Sequence, residues 1–578
     1  LAEFISGSAA WVIEPSSATE PVDNQTCFQF TACHPFMLPR SDDNGMKATN
    51  IDYTTVDGSQ KWAILREHWK YGLWALWSSI GSMMLGWDYV AGGQLAALPE
   101  FRKQFGIRQE DGSMLLPAHY LAAWAAVGLA CDIVAALISA PFLEKYGRKH
   151  QIIVASIISV VGVLLQQLAT KWKMHLAGRA VNGAAVGIMF TISPLWIGET
   201  CRPELRGLFL CLFNASIVLG QFLIVVIGYG ASNIEGKWQW WTVVVSMYIF
   251  PATLLAGYPW FPESPYWLIR EARADDARKS LQRMYSREAQ EFIEIEMRRL
   301  EEDVRFNSEL NSDLQDTGFE IFGLHIGAEL QCFRGSNLKR TLTAMFAASG
   351  QQLIGASFVI GYATYFFELI GISNFFLASC LMYVVMLLST TAAFPLVEIV
   401  GRRGLIVPAL FAMSGLLLLM GILGWFQDRS GALWAIVVIT YLWAVVYQVS
   451  LGACGFVLAS EVATLRLRAA TQALVTVMNG VWGLIMQFTV PYMINMDAGN
   501  LGGKTGLIFF GTGILTAIAG YFLFPETKGL SFERIDELYN KGTAPRHFKK
   551  KSTEMDLSMA SRQGVKDGED VANVVEIS

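Results

Sequence analysis

The chain has 578 residues, of which 53% are hydrophobic and 16% charged, with a net charge of −5 and a mean hydropathy of +0.37. Ordinary soluble proteins average about 25% charged residues, so a soluble enzyme or binding module is excluded. No nucleic-acid partner is expected.

In chain order, residues 1–60 are polar and lack the basic-then-apolar layout of a signal peptide. Opening on Leu1 reads as an incomplete or artificial start, with Met46 beginning a stretch that looks like a natural tail. The Asn24-Gln25-Thr26 sequon carries no weight in a cytosolic tail. Apolar runs of about 20 residues, long enough to cross about 30 Å of hydrocarbon as helix, then recur. Twelve are read near 72–95, 117–141, 151–170, 175–197, 207–231, 240–261, 341–369, 375–397, 404–425, 433–457, 470–494 and 505–524. Alternating barrel strands are absent, so the crossing elements are helices.

Between 262 and 340 the runs stop, and Glu271–Glu309 places Arg and Glu at helical spacings that predict a solvated helix. The last 50 or so residues are charged, with Lys549, Lys550 and Lys551 in a row. They read as a disordered tail near anionic lipid, or as a regulatory signal. The expected domains are a tail over 1–70, six helices over 71–261, linker helices over 262–340, six helices over 341–524 and a tail over 525–578. Loops carrying Arg148, Lys149, Arg206, Arg402, Arg403, Arg466 and Arg468 alternate with less basic ones. Positive-inside counting therefore puts both termini in the cytoplasm. Cys131, Cys211, Cys380 and Cys454 fall in apolar runs as small hydrophobes, and the eight cysteines show no metal-ligand spacing.

Three polar motifs occur twice. Glu144-Lys145-Tyr146-Gly147-Arg148-Lys149 returns as Glu398-Ile399-Val400-Gly401-Arg402-Arg403, 254 positions on. Glu199 with Arg206 returns as Glu461 with Arg468, and Pro262-Glu263-Ser264 as Pro525-Glu526-Thr527. Near-constant separation implies duplication of a half, which suits a carrier whose halves rock about a central site.

These motifs resemble the sugar porter family of the major facilitator superfamily over roughly residues 70–540. Gly86-Trp87-Asp88, Gly178-Arg179, Pro194-x-Trp196-x-x-Glu199, Pro262-Glu263-Ser264-Pro265-Tyr266-Trp267-Leu268, Gln351-Gln352-x-x-Gly355 and Pro525-Glu526-Thr527-Lys528-Gly529 complete the match. The run Gly355–Tyr362, with Tyr365-Phe366 and Pro491–Asn495, looks most like the fungal maltose-type permeases. Departures are Glu144 and Glu398 where the family usually has Asp, the shifted Arg202-Pro203, and Tyr266 for a common Arg. Ala453 and Phe456 stand where many members have Pro and Trp, which leaves the substrate open.

The resemblance implies a twelve-helix, all-α membrane fold of two six-helix halves. Asp88 sits in an apolar helix, where ionisable groups are costly and functional by default. Arg179, 20 positions before Glu199, matches the family's arginine beside it. Desolvation raises a carboxyl pKa and a nearby guanidinium lowers it, so a changing distance between the two can load and release a proton. A permanent salt bridge is the alternative. Asp132 is a second intramembrane acid that either assists proton movement or bonds a neighbouring helix.

Amides match sugar hydroxyls and rings match its C–H faces. Gln221, Gln351, Gln352 and Asn479 resemble cavity positions of the family. Asn214 and Ser357, shorter than the family's Gln and Asn, leave room for a disaccharide, with Phe456 and Tyr362 as ring faces. Each amide taken alone reads equally as an interhelical bond. Glu144, Arg148, Glu199, Arg206, Glu398, Arg402, Glu461 and Arg468 resemble the family's inner gating network, whose pairs favour the outward-open state.

No phosphate-binding loop, metal cluster or nucleophile-base set is visible, so neither an enzyme nor an ATP-driven pump is expected, and no cofactor is implied. The reading is sugar:proton symport, with an α-glucoside such as maltose as substrate. Hexose or polyol transport is the alternative, and a non-transporting sugar sensor another. A monomer in the plasma membrane is the family expectation.

Overall fold

The structure, a computed structural model, describes residues 61–562 apart from positions 111, 113, 286–289, 316–319, 322–323, 326–330, 465–466 and 531. Asn24, Met46, Cys27 and Cys33 lie outside the described residues, as do the side chains of Arg206, Cys211, Glu398 and Arg468.

Among the described residues, ten helices are long and apolar enough to cross a membrane. They are span two (Ala118–Tyr146), three (Arg148–Gln167), four (Trp172–Thr200), five (Leu212–Ala231) and six (Trp238–Gly257). Spans eight (Phe375–Val397), nine (Arg402–Leu423), ten (Ser430–Val462), eleven (Ala470–Ile494) and twelve (Gly502–Leu523) follow. Two further spans are interrupted, where unbroken runs over 72–95 and 341–369 are predicted; spans six and ten also carry breaks, at Met247–Tyr248 and at a π turn Gln448–Gly452. Span one divides into Trp69–Ser78 and Ile80–Ala96, with the Ser79 hydroxyl turned back onto the Ala75 carbonyl at 2.8 Å. Span seven runs as Gly335–Leu353, a π-helical turn Ser357–Gly361, and Ala363–Leu369. Its break follows Gly355, whose φ is +88°. Apolarity counts residues and does not see such breaks; π turns mark functional stretches more often than ordinary helix.

The chain thus has an all-α fold of membrane-spanning helices. Ile138, Val154, Ile157, Leu388 and Leu515 point outward, each 46–68% exposed. In water such faces would aggregate; in lipid they are solvated. Spans two and four meet closely at Gly183, where an added Cβ would lie 2.1 Å from the Gly128 carbonyl oxygen.

The segment between spans six and seven forms helices Pro265–Arg270, Ala274–Tyr285 and Gln290–Gln315. It is not uniformly solvated, contrary to the charge spacing. Glu296 is 1% exposed and pairs with buried Arg202 at 3.1 Å, and the Tyr285 hydroxyl donates to the Thr200 carbonyl at 3.1 Å. These contacts dock the linker on the end of span four. The C-terminal segment also departs from the disordered reading through Arg562. Helices Phe532–Asn540 and Phe548–Arg562 form because Ile535, Leu538 and Phe548 bury one face, at 0–1% exposure. Asp536 pairs with buried Arg340 at 2.5 Å.

Candidate functional site

Span four carries Arg179 to the middle of the bundle, where it meets Asp88 of span one at 2.6 Å between Nη1 and Oδ1. Both side chains are nearly buried, 6% and 12% exposed. Asn182, three residues on and therefore on the same helix face, donates to the same Oδ1 at 3.0 Å. Arg179 Nε also reaches the Trp124 carbonyl at 3.5 Å. A buried charge must be paired and hydrogen-bonded to persist, and this carboxylate has two donors. Asp132, 8% exposed, joins Asp88 and Arg179 in lining a cavity of about 30 Å³ with Tyr89 and Gln487.

Asp132 and Tyr89 also border a larger cavity of about 270 Å³. Its walls come from both halves: Ala136 and Ala140 of span two, Thr191 of span four, Gln352 of span seven, Phe456 of span ten, and Thr476 and Asn479 of span eleven. Gln352 Oε1 accepts from Ser357 at 2.8 Å and from Tyr89 at 3.3 Å, and the two hydroxyls are 3.0 Å apart. Asn479 Oδ1 is buried with no hydrogen-bond partner among the described residues. Such an acceptor is costly unless something fills its valence.

The other expected cavity residues sit elsewhere. Gln351 ties spans seven and ten together, donating to the Leu451 carbonyl at 3.3 Å and accepting from Tyr447 at 3.4 Å. Tyr362, 1% exposed, points its hydroxyl at the Gln487 carbonyl, 3.5 Å away. Asn214 and Gln221 line neither cavity, and each keeps one buried amide atom without a partner. Tyr89, Asn182, Thr191, Thr476 and Gln487 escaped the sequence reading. Only Asn182 left a signal there, its spacing from Arg179.

On one face of the bundle, hereafter the motif face, the duplicated motifs close into two matching knots. Arg148 pairs with Glu199, lies 3.7 Å from Glu144, and donates to the Leu143 carbonyl at 3.1 Å. Glu144 also pairs with Arg270. In the second half Arg402 meets Glu461 at 2.7 Å, and Thr527 donates to the same carboxylate at 2.6 Å. Both pairs lie within one half. The Pro-Glu motifs supply helix caps. Glu263 accepts the backbone N–H of Arg148 at 3.1 Å and of Lys149 at 3.0 Å. Glu526 does the same for Arg402 at 3.0 Å, Arg403 at 3.1 Å and Gly404 at 3.2 Å. Gly147 and Gly401 make this possible. Their φ values are +82° and +94°, and a Cβ would strike the capping carboxylate at 2.6 and 2.7 Å. Losing a cap costs about 1–2 kcal/mol. Glu526→Ala should therefore lower the melting temperature of the detergent-solubilised protein by a few degrees, and Glu526→Gln by less; an unchanged Tm would remove the cap assignment.

The opposite face joins the two halves. Arg102, after span one, pairs with Glu368 at the end of span seven. Asn495 donates to the Leu116 carbonyl at 2.7 Å, and Asp497 accepts the Ala118 N–H at 3.0 Å. The large cavity instead runs between Ala140 and Ala473 toward the motif face.

Comparison with known proteins places this arrangement. The family model "Sugar (and other) transporter" matches residues 74–539. The low-affinity glucose transporter HXT1 of Saccharomyces cerevisiae is 26% identical over 484 residues, 81% of each chain. The MFS transporter fmqE of Aspergillus fumigatus is 30% identical over 482 residues, 80% of this chain and 85% of that one. The proton:xylose symporter XylE of E. coli, solved with 6-bromo-6-deoxy-D-glucose, superposes with a TM-score of 0.62 at 18% identity, covering 81% of this chain and 99% of its own. That likeness carries the fold alone. With a family match spanning most of its length, and with its central cavity walled by both halves, the chain belongs to the sugar transporter family of the major facilitator superfamily.

Proposed function

We propose that this protein is a proton-coupled sugar porter that works by alternating access between its halves, 71–261 and 341–524. The observation that carries the reading is the Asp88–Arg179 pair, 2.6 Å apart, bordering through Asp132 and Tyr89 a cavity walled by both halves. Sugar hydroxyls would engage Gln352, Ser357, Asn479 and Tyr89, with a C–H face on Phe456. The joined face is the outer one, and the Arg148–Glu199 and Arg402–Glu461 knots stiffen the inner end of each half. On the charge distribution both termini face the cytoplasm, and the plasma membrane suits the yeast relatives.

The relatives with a printed substrate are glucose and hexose transporters, which favours a hexose. The resemblance of the run Gly355–Tyr362 to maltose-type permeases favours an α-glucoside, the second reading. Uptake of labelled glucose and maltose into cells, with and without a protonophore, separates these. Accumulation of glucose abolished by the protonophore supports hexose symport, whereas downhill uptake indifferent to it makes the protein a uniporter. Transport of neither sugar overturns the reading. Gln352→Ala removes an acceptor shared by two hydroxyls, so KM should rise about tenfold, the equivalent of one good hydrogen bond. An unaltered KM would take Gln352 out of the pocket.

A further inference from the structure

A separate cavity of about 280 Å³ opens on the motif face, away from the transport path. Lys149 enters it from the start of span three and Tyr258 from the end of span six. The third wall is helix Ala274–Tyr285 with its preceding residue. There the spacing of Arg273, Asp276, Lys279 and Arg283 sets one polar face toward the cavity, while Ala277, Leu281 and Met284 are buried behind it.

Its charge does not balance. Both lining acids are already engaged: Glu263 caps span three and accepts its own following N–H, from Ser264, at 2.9 Å. Asp276 takes Arg273 at 2.8 Å and Lys279 at 3.1 Å. That leaves Lys149 and Arg283. Among the described residues Lys149 makes no ion pair within 4.0 Å; it reaches the Pro259 carbonyl, at 3.5 Å, and the Tyr258 ring, at 4.7 Å, with Glu263 a more distant attraction. Arg283 is exposed, has no ion pair among the described residues, and lines the same cavity as Lys149. Two like charges held together across a concavity form a site that an anion relieves. An arginine fork beside an ammonium suits the several oxygens of a phosphate.

Depth adds a second constraint. The cavity lies where span three begins and span six ends, beside Tyr146 and Trp260, which are 49% and 68% exposed. Exposed Trp and Tyr at helix ends mark the headgroup level of a bilayer. We propose that this cavity binds phosphate groups at the membrane surface, with Lys149 and Arg283 as the principal ligands. The phosphate can belong to an acidic lipid headgroup or to a soluble phosphate ester.

The test uses the full-length protein in detergent, titrated with dioctanoyl phosphatidylinositol 4-phosphate, with inositol 1,4-bisphosphate, and with dioctanoyl phosphatidylcholine as control. Saturable binding of the phosphoinositide is expected, about tenfold weaker in Lys149→Gln/Arg283→Gln, since charge-assisted bonds are lost. A Lys549→Gln/Lys550→Gln/Lys551→Gln variant should bind like the wild type. Equal affinity for the soluble bisphosphate would support the site and assign it to a soluble ester; binding of the lipid alone would support it as a headgroup site. Equal binding by wild type and the double variant, or no preference over phosphatidylcholine, overturns the proposal. Should the double variant misfold, Arg283→Gln alone, at an exposed position, decides the matter by the same loss.

Discussion

Asp88→Asn should abolish uphill sugar accumulation while leaving sugar exchange across the membrane measurable. The amide keeps the shape and one acceptor for Arg179 and Asn182, which now bond Oδ1 at 2.6 and 3.0 Å, so helix packing survives. What it cannot do is take up a proton. One proton crossing ~100 mV gains about 2.3 kcal/mol, and one pH unit adds about 1.4 kcal/mol. Their total of about 3.7 kcal/mol supports accumulation of several hundred-fold at about 1.4 kcal/mol per decade. The variant should bring that ratio to about one. Labelled-sugar accumulation and counterflow, measured on the same cells, check it. If the pair were only a strut, both readouts would fall together with the amount of folded protein. Accumulation unchanged by the substitution would end the coupling proposal. The same pair of assays on Asp132→Asn separates its two readings, since Asp132 borders both cavities.

Gly183→Val should cost most of the folded protein. A Cβ there would sit 2.1 Å from the Gly128 oxygen and 2.8 Å from its carbonyl carbon and Cα. All three are backbone atoms of a helix, which cannot swing aside as a side chain can. Spans two and four must separate, and Arg179, one turn earlier on span four, is drawn away from Asp88. Overpacking of this kind costs about 3 kcal/mol or more. The expected result is loss of the monodisperse peak in size-exclusion chromatography of the detergent extract. Gly230→Ala on span five meets nothing within 4 Å and should leave the peak intact. A normal peak from Gly183→Val would show that the two helices are not packed as described.

Much of the architecture was legible in the chain because membrane solvation is written in composition. A helix in lipid needs about 20 apolar residues whatever its neighbours, so ten of the twelve runs stand as long apolar helices. The interruptions at Ser79 and after Gly355 were hidden, since a hydroxyl back-bond and a positive φ are matters of local geometry. The C-terminal helices were misread for a related reason. Their charge dominates the composition, but a few residues such as Leu538 and Phe548 at helical spacing find a buried face.

The motifs divide along the same line. Duplication of Gly-Arg, Glu-x6-Arg and Pro-Glu was plain from spacing, and so was an acid that could not stand alone in lipid. That Glu263 and Glu526 act as helix caps, with Gly147 and Gly401 making room, needed the folded chain: the partners lie more than 110 positions apart. The sugar cavity was the least legible part. Gln352, Phe456 and Asn479 line it while Asn214 and Gln221 do not, and Tyr89 joins it unannounced. An amide in a membrane helix reads alike whether it faces a cavity or a neighbouring helix. By itself, then, the amino-acid order determined a duplicated, membrane-spanning carrier with one acid–guanidinium pair. Only packing decided which polar groups share a space, because that depends on how helices far apart in the chain rotate against one another.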